Sequence, residues 1–251
     1  MRSRCRFLFR PVLLLALLAA AADARAQGAT GESPWFLDFA FGVAPSIRGN
    51  VSSGAIGVLQ GQAAAFLPPS YGDIYGTGID WRFGGGYTLD DKSELRGMFI
   101  WQSADADLVR LGDVGPSSLY AQYDDYKSFA LDLGYRRYLQ LSNRDIRLFG
   151  EGTIGVGFID SIGVQFAAPQ SNIVFPATNY YDQTAAFTYG LGFGAVFRFS
   201  DRLDFTGQFG LRHVSGLQTV DQFVGTGLEA VSNDTARLTF PVVVGLRYHF
   251  K

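Results

Sequence analysis

Cysteine is nearly missing from this chain. The single one, Cys5, stands before the first apolar run, and no residue after 26 is Cys. That excludes disulfides, a thiol nucleophile and Cys-ligated metal from everything downstream. Lysine is almost as rare, with only Lys92, Lys127 and Lys251 in the chain, and there are two histidines, His213 and His249. A soluble all-β protein normally shows Lys on its exposed strand faces, whereas this chain carries Phe and Tyr instead. Beyond residue 26 no segment reaches 18 consecutive apolar residues, so no helix is expected to span a membrane. No nucleotide loop is present either. Gly190-x-Gly192-x-Gly194 and Gly152-x-x-Gly155-x-Gly157 lie inside strand patterns with no helix following, so no cofactor is expected. No run of acids has calcium-loop spacing, and no metal site is expected.

The front of the chain reads as a removable export signal. Arg2, Arg4, Arg6 and Arg10 form a positive start, Val12 to Ala22 an apolar run, and Ala24-Arg25-Ala26 a small-x-small cleavage site. Residues 1–26 are therefore expected to be cleaved, leaving a polar leader at 27–34 and one domain at 35–251. Taking the signal's five Arg and one Asp from the totals leaves 16 bases and 22 acids, a net charge of −6. Nucleic acid is excluded as a partner, because that needs a basic face.

What fills the rest is period-2 alternation. In the last stretch, Leu238, Phe240, Val242, Val244, Leu246, Tyr248 and Phe250 share one parity; Arg237, Thr239, Pro241, Val243, Gly245, Arg247 and His249 share the other. The same pattern predicts strands at 35–44, 79–89, 94–102, 126–139, 146–158, 184–199 and 202–215, with the last at 236–250. Asp90-Asp91-Lys92-Ser93, Ser142-Asn143-Arg144-Asp145 and Ser200-Asp201-Arg202 are predicted short turns. They alternate with four segments of twenty or more residues, predicted as solvated acidic loops. The fold class expected is all-β: an eight-stranded antiparallel transmembrane up-and-down β-barrel, with four long extracellular loops and three short periplasmic turns. Trp35, Tyr87, Trp101, Tyr135, Tyr189 and Tyr248, at strand ends, are placed for interfacial girdles.

The ending Val-Gly-Leu-Arg-Tyr-His-Phe resembles the closing strand of small outer-membrane barrels of the OmpA, OmpX and opacity-protein type. That resemblance implies that Leu246, Tyr248 and Phe250 are the assembly signal read by the barrel-insertion machinery. It also implies residence in a bacterial outer membrane among lipid and lipopolysaccharide. A monomer is expected.

The apolar parity must face lipid, since the other holds nearly all the strand charge: Asp38, Asp80, Glu94, Asp132, Glu151 and Asp204 with Arg82, Arg96, Arg136, Arg147, Arg198, Arg212, Arg237 and Arg247. Eight strands enclose only enough space for side chains, so these charges are expected to pair into a plug. Inward glycines such as Gly84, Gly86 and Gly194 are expected to make room for them. The leading expectation is a non-enzymatic barrel whose work is structural or lies in its surface loops, with a ligand that the sequence does not name. Two other functions stay open. One is a narrow solute channel. The other is a lipid A ester hydrolase: His213-Val214-Ser215 lies at the outer end of its strand, on the lipid-facing parity. It resembles the His-x-Ser motif of PagL-type lipid A deacylases, which implies catalytic roles for His213 and Ser215, with Glu229 or Asp221 orienting the His. Gly216 stands where that family has Asn.

Overall fold

The computed structural model describes residues 33–59, 61–139, 146–171, 173–219, 231 and 234–250. The expected signal segment, the Ser142–Asp145 turn, Asp221, Glu229 and Lys251 lie outside the described residues.

The barrel is closed. Its staves are β1 (Trp35–Arg48), β4 (Thr77–Asp90), β5 (Ser93–Ala104), β8 (Tyr126–Leu139), β9 (Ile146–Ile159), β13 (Thr184–Arg198), β14 (Leu203–Val214), and an eighth made of β16 (Arg237–Thr239) and β17 (Val242–His249). Each pairs antiparallel with its chain neighbour. β17 pairs with both β14 and β1, from Phe36 opposite His249 to Val43 opposite Val242, so no stave has a free edge. A bilayer demands this, since an unpaired backbone edge finds no water in hydrocarbon. The expected strand bounds match to within a few residues, with one correction. The final strand is not continuous over fifteen residues: it breaks at Phe240 and Pro241. Proline has no N–H to give a ladder. Here Phe240 N–H donates to the Pro45 carbonyl and the Pro241 carbonyl accepts from Gly210 N–H.

Outward side chains are the large apolar ones. Leu133 and Val244 are 64% and 66% exposed, and Phe83, Leu191, Phe193 and Phe209 are exposed with them. Stripped of lipid, such a belt would be an aggregation surface; facing hydrocarbon it is the expected outer wall. Aromatic pairs rim it at both ends. Toward the long connections Phe41 meets Trp81 at 4.5 Å, Phe129 meets Phe158 at 4.8 Å, and Trp81 stands opposite Trp101. Toward the short turns Trp35 meets Tyr87 at 5.0 Å.

The four long connections are not solvated loops. They contain β2 (Ala55–Leu59), β3 (Gln62–Phe66), the short helix α1 (Tyr71–Tyr75), β6 (Val109–Val114), β7 (Ser117–Tyr123), β10 (Ile162–Ala168), β11 (Ile173–Val174), β12 (Thr178–Asp182) and β15 (Gln218–Thr219). Most of these form a second sheet ordered β15-β12-β10-β7-β6-β3-β2, with β11 paired to β10. The second sheet prolongs the first. Ala104 faces Tyr126, and five residues further Val109 faces Ala121 in the same register. Ser128 faces Ile159, and Tyr123 faces Val164, again without a slip. The barrel wall thus continues past the lower belt as a cap. Inside it lie Val51, Phe66, Ile74, Leu111, Leu119, Val164 and Phe166, packed with buried Tyr71, Tyr75, Tyr123, Tyr126, Tyr180 and Tyr181.

Candidate functional site

Two interiors compete as the functional site: the charged lumen and the cap. In the lumen, six charges form one continuous ladder. Arg136 donates from Nε and Nη2 to Glu151 Oε2 at 2.9 and 2.7 Å. Arg96 donates to the same oxygen at 2.6 Å and, through Nε, to Asp38 Oδ2 at 2.9 Å. Arg247 donates to Asp38 Oδ1 at 2.9 Å and to Glu94 Oε1 at 2.8 Å, where the Tyr138 hydroxyl also donates. Three arginines meet three carboxylates, so the ladder is neutral. Arg136 and Arg247 are 1% and 0% exposed, depths at which only close pairing keeps a charge tolerable.

Two further pairs stand nearer the cap. Arg82 holds Asp80 through Nε and Nη2, with Gln102 Nε2 donating to the same carboxylate. Arg212 forks onto Asp132, which also accepts from Thr188 Oγ1 at 2.8 Å. Between ladder and pairs lies a cavity of about 40 Å³, lined by Arg82, Arg96, Arg136, Arg212, Glu151 and Gln208 among others. That is room for a few waters, not a through path.

Three of the expected lumen residues behave differently. Arg198 has inward parity but sits at the rim of the short-turn end and is exposed. Arg147, 37% exposed at the same rim, lies 3.7 Å from Asp204, which also meets His249 Nε2 at 2.9 Å. Arg237, at the opposite end, is buried without a carboxylate among the described residues. Its Nε donates to Ser46 Oγ at 3.0 Å and its guanidinium lies 4.0 Å over the Tyr126 ring. Cation–π attraction replaces the ion pair there.

The inward aromatics went unread in the sequence. Arg136 stacks 3.5 Å above Phe149, and Arg247 3.9 Å above Phe36. The inward glycines make room for these rings more than for the arginines. A Cβ at Gly86 would lie 2.3 Å from Phe36 Cζ, and one at Gly194 2.6 Å from Phe149 Cζ. The signal available was an aromatic on the polar parity with a Gly across the ladder.

The cap is stapled by hydroxyls. Tyr180 O–H donates to the Val231 carbonyl at 2.6 Å, and Tyr181 O–H to the Val51 carbonyl. Tyr75 donates to the Asp124 carbonyl at 3.2 Å, and Tyr71 to Asp234 Oδ2 at 3.1 Å. Asn50 and Thr235 bond each other through Thr235 Oγ1 and both backbones. Every long connection is tied to another. Burial in this core pushes the hydroxyls of Tyr71, Tyr75, Tyr123, Tyr180 and Tyr181 upward, so they remain donors at any physiological pH.

At the His213–Ser215 motif, the His213 ring stacks on Tyr189 with centroids 4.4 Å apart, and its buried Nδ1 has no hydrogen-bond partner among the described residues. Ser215 Oγ accepts the Phe187 N–H at 3.0 Å, while Ser215 N–H donates to the Phe187 carbonyl. The serine thus closes the ladder where β14 ends. The carboxylate packed on the following turn is Asp234. Its Oδ2 accepts Leu217 N–H at 2.8 Å, and a Cβ at Gly216 would lie 3.0 Å from its Oδ1. Burial raises the Asp234 carboxyl above its ordinary value.

A closed antiparallel barrel, apolar outside and ion-paired inside, defines a transmembrane β-barrel of the small outer-membrane kind. No family model matches the chain, and no curated protein matches it. Among solved structures it is similar to Neisserial surface protein A, at 10% identity and a TM-score of 0.48, covering 88% of this chain and 100% of that one. It is also similar to Ail, the attachment invasion locus protein of Yersinia pestis, at 11% identity and a TM-score of 0.40, covering 86% and 98%. The outer membrane protein OprG of Pseudomonas aeruginosa follows at 13% and 0.37, covering 87% and 97%. These likenesses concern the fold.

Proposed function

We propose that the protein is a non-enzymatic barrel of the bacterial outer membrane, whose lumen is plugged and whose work is done by the cap at the cell surface. The observation that carries this reading is the double closure. A neutral ion-pair ladder fills the lower lumen, and an apolar, tyrosine-rich core fills the upper one. A solute pathway would have to break both. In this reading residues 1–26 direct export, and Leu246, Tyr248 and Phe250 address the chain to the barrel-insertion machinery. The barrel then stands as a monomer among lipid and lipopolysaccharide, and its cap meets a ligand outside the cell. Support for the membrane comes from the exposed aromatic and aliphatic belt.

The channel alternative has the 40 Å³ cavity in its favour and both closures against it. The hydrolase alternative needs Ser215 Oγ to lose its proton to His213. Instead no hydrogen bond joins Ser215 to His213 among the described residues, and the His213 ring lies flat on Tyr189. The test is reconstitution of the full chain into planar bilayers. The expected result is no steady unit conductance. Reproducible open levels from the wild-type protein would replace this reading with the channel.

A further inference from the structure

Among the described residues the cap's sheet, unlike the barrel, does not close. β2 is its end strand and pairs only with β3 among the described residues. Natural edge strands are guarded by charge, proline or a bulge, because an open row of N–H and C=O groups invites another strand. Among the described residues this one has no such guard. From Gly49 to Gly72 the sequence contains no charged residue, and Ala55-Ile56-Gly57-Val58-Leu59 contains no proline. The β2–β3 register carries no bulge. On the outer face Ile56 is 83% exposed, with Val58 and Leu67 also exposed and Ala63 and Ala65 beside them. The neighbouring cap surface is acidic, with Asp105, Asp107, Asp113, Asp124, Asp125, Asp160 and Asp182 against Arg110 and Lys127. Two caps therefore repel over most of their surface and are neutral to each other along β2.

We infer that the free edge of β2 pairs with β2 of a second copy of this chain standing in a facing membrane. Strand direction selects that arrangement. β6 prolongs β5 away from the short turns; β3 runs back against it, and β2 runs outward again. Copies in one membrane would present β2 edges running the same way, related by an axis along the strand that sets the outer face of one sheet beside the inner face of the other. Copies in opposed membranes present antiparallel edges with Ile56 and Val58 on matching faces, the more stable ladder. Area selects it as well. A five-residue strand, about 17 Å long, pairs over far less than the roughly 1,200–2,000 Å² of a stable isolated complex. One contact is weak, and only arrays on two facing surfaces hold through multivalency. The inference rests on the surface role proposed above and names its partner.

The experiment uses the full chain reconstituted into dimyristoylphosphatidylcholine vesicles in two dye-labelled populations, with clustering read by light scattering and energy transfer between dyes. Wild-type vesicles should cluster with a steep dependence on protein density. Ile56→Lys combined with Val58→Lys should slow clustering by about tenfold or more. Gln165→Lys, an equal charge on the outer face of β10, should leave it within about twofold. A peptide spanning residues 54–60 should compete. Far-ultraviolet circular dichroism confirms that each variant is inserted and β-structured. Wild-type vesicles that carry inserted protein yet stay dispersed would overturn the inference and leave the barrel reading intact. So would equal clustering of the double-Lys variant, or clustering with protein-free vesicles. Failure of the wild-type chain to enter vesicles as a β protein would sink the barrel reading, and this inference with it.

Discussion

Along the stave that starts at Ile146, the inward positions read Glu151, Thr153, Gly155 and Gly157, and the outward ones Leu148, Ile154 and Val156. Past Ile159 the same wall turns over. After the step at Asp160 and Ser161, the inward positions are Ile162, Val164 and Phe166, and Gln165 faces out. The other side of the ladder does the same: Asp132, Ala130 and Ser128 point inward below, then Tyr126, Tyr123 and Leu119 above. One ladder, without a slip of register, thus serves two solvents. Where hydrocarbon lies outside, polarity is put inside and must be paired. Where water lies outside, the interior is dry. The crossover falls at the upper aromatic rim, so the depth of the membrane is written in the inward residues as clearly as in the outward ones.

The comparison can be broken from either half. The largest effect is expected in the lower one. Glu151 anchors both Arg96 and Arg136, so Glu151→Ala leaves Arg136 buried without a carboxylate and Arg96 with Asp38 alone, at a cost of about 3–5 kcal/mol. The unfolding midpoint in detergent should drop accordingly; a midpoint unchanged from wild type would mean that water already screens the ladder. Leu111→Ala tests the dry half. Leu111 is fully buried in the cap, and its truncation should cost about 2–5 kcal/mol. The loss should fall on the cap, seen as protease cutting between residues 103 and 125 while the barrel stays resistant. Cutting in the barrel first would show that the halves unfold as one.

A finer test is pH. Asp234 is more easily protonated in the folded cap than in the unfolded chain, because burial disfavours its charge. A carboxyl with a raised folded pKa contributes stability that is fully present below the ordinary carboxylate range and is lost as pH rises through the folded value. Asp234→Asn should therefore stabilise the cap at neutral pH, with the gain vanishing in acid; a gain independent of pH would point to packing instead of charge. The smallest effect is expected at Ser215. With its hydroxyl accepting from Phe187, Ser215→Ala should leave lipid A mass spectra identical to wild type and cost about 0.5–1.5 kcal/mol for one hydrogen bond. A deacylated lipid A species present only with intact Ser215 and His213 would make the protein an enzyme.

The barrel was legible because lipid on one side enforces strict alternation, from Phe129 to Tyr135 or from Phe187 to Phe193. The cap was not. Its strands are short, its inward residues include Ala64, Ala121 and Ala168, and Ile162 to Ala168 alternates in the opposite sense to the stave below it. Read with the barrel's rule, that stretch is noise. The break at Pro241 was legible in principle, since proline inside a strand demotes it, but the alternation of its neighbours outweighed it. Ion-pair partners could not be assigned from sequence. Arg96 finds Glu151 from two staves away, and Arg247 finds Glu94 across the lumen; both depend on the stagger of the barrel, which no local pattern encodes.

The staples of the cap end on backbone oxygens. Tyr75, Tyr180 and Tyr181 grip the carbonyls of Asp124, Val231 and Val51, and a carbonyl is the same whatever side chain its residue carries. Val51 and Val231 are themselves buried in the cap core, but at exposed Asp124 the side chain can change while the carbonyl that Tyr75 grips stays the same, so the outer surface there can drift in sequence while its architecture is held by buried tyrosines.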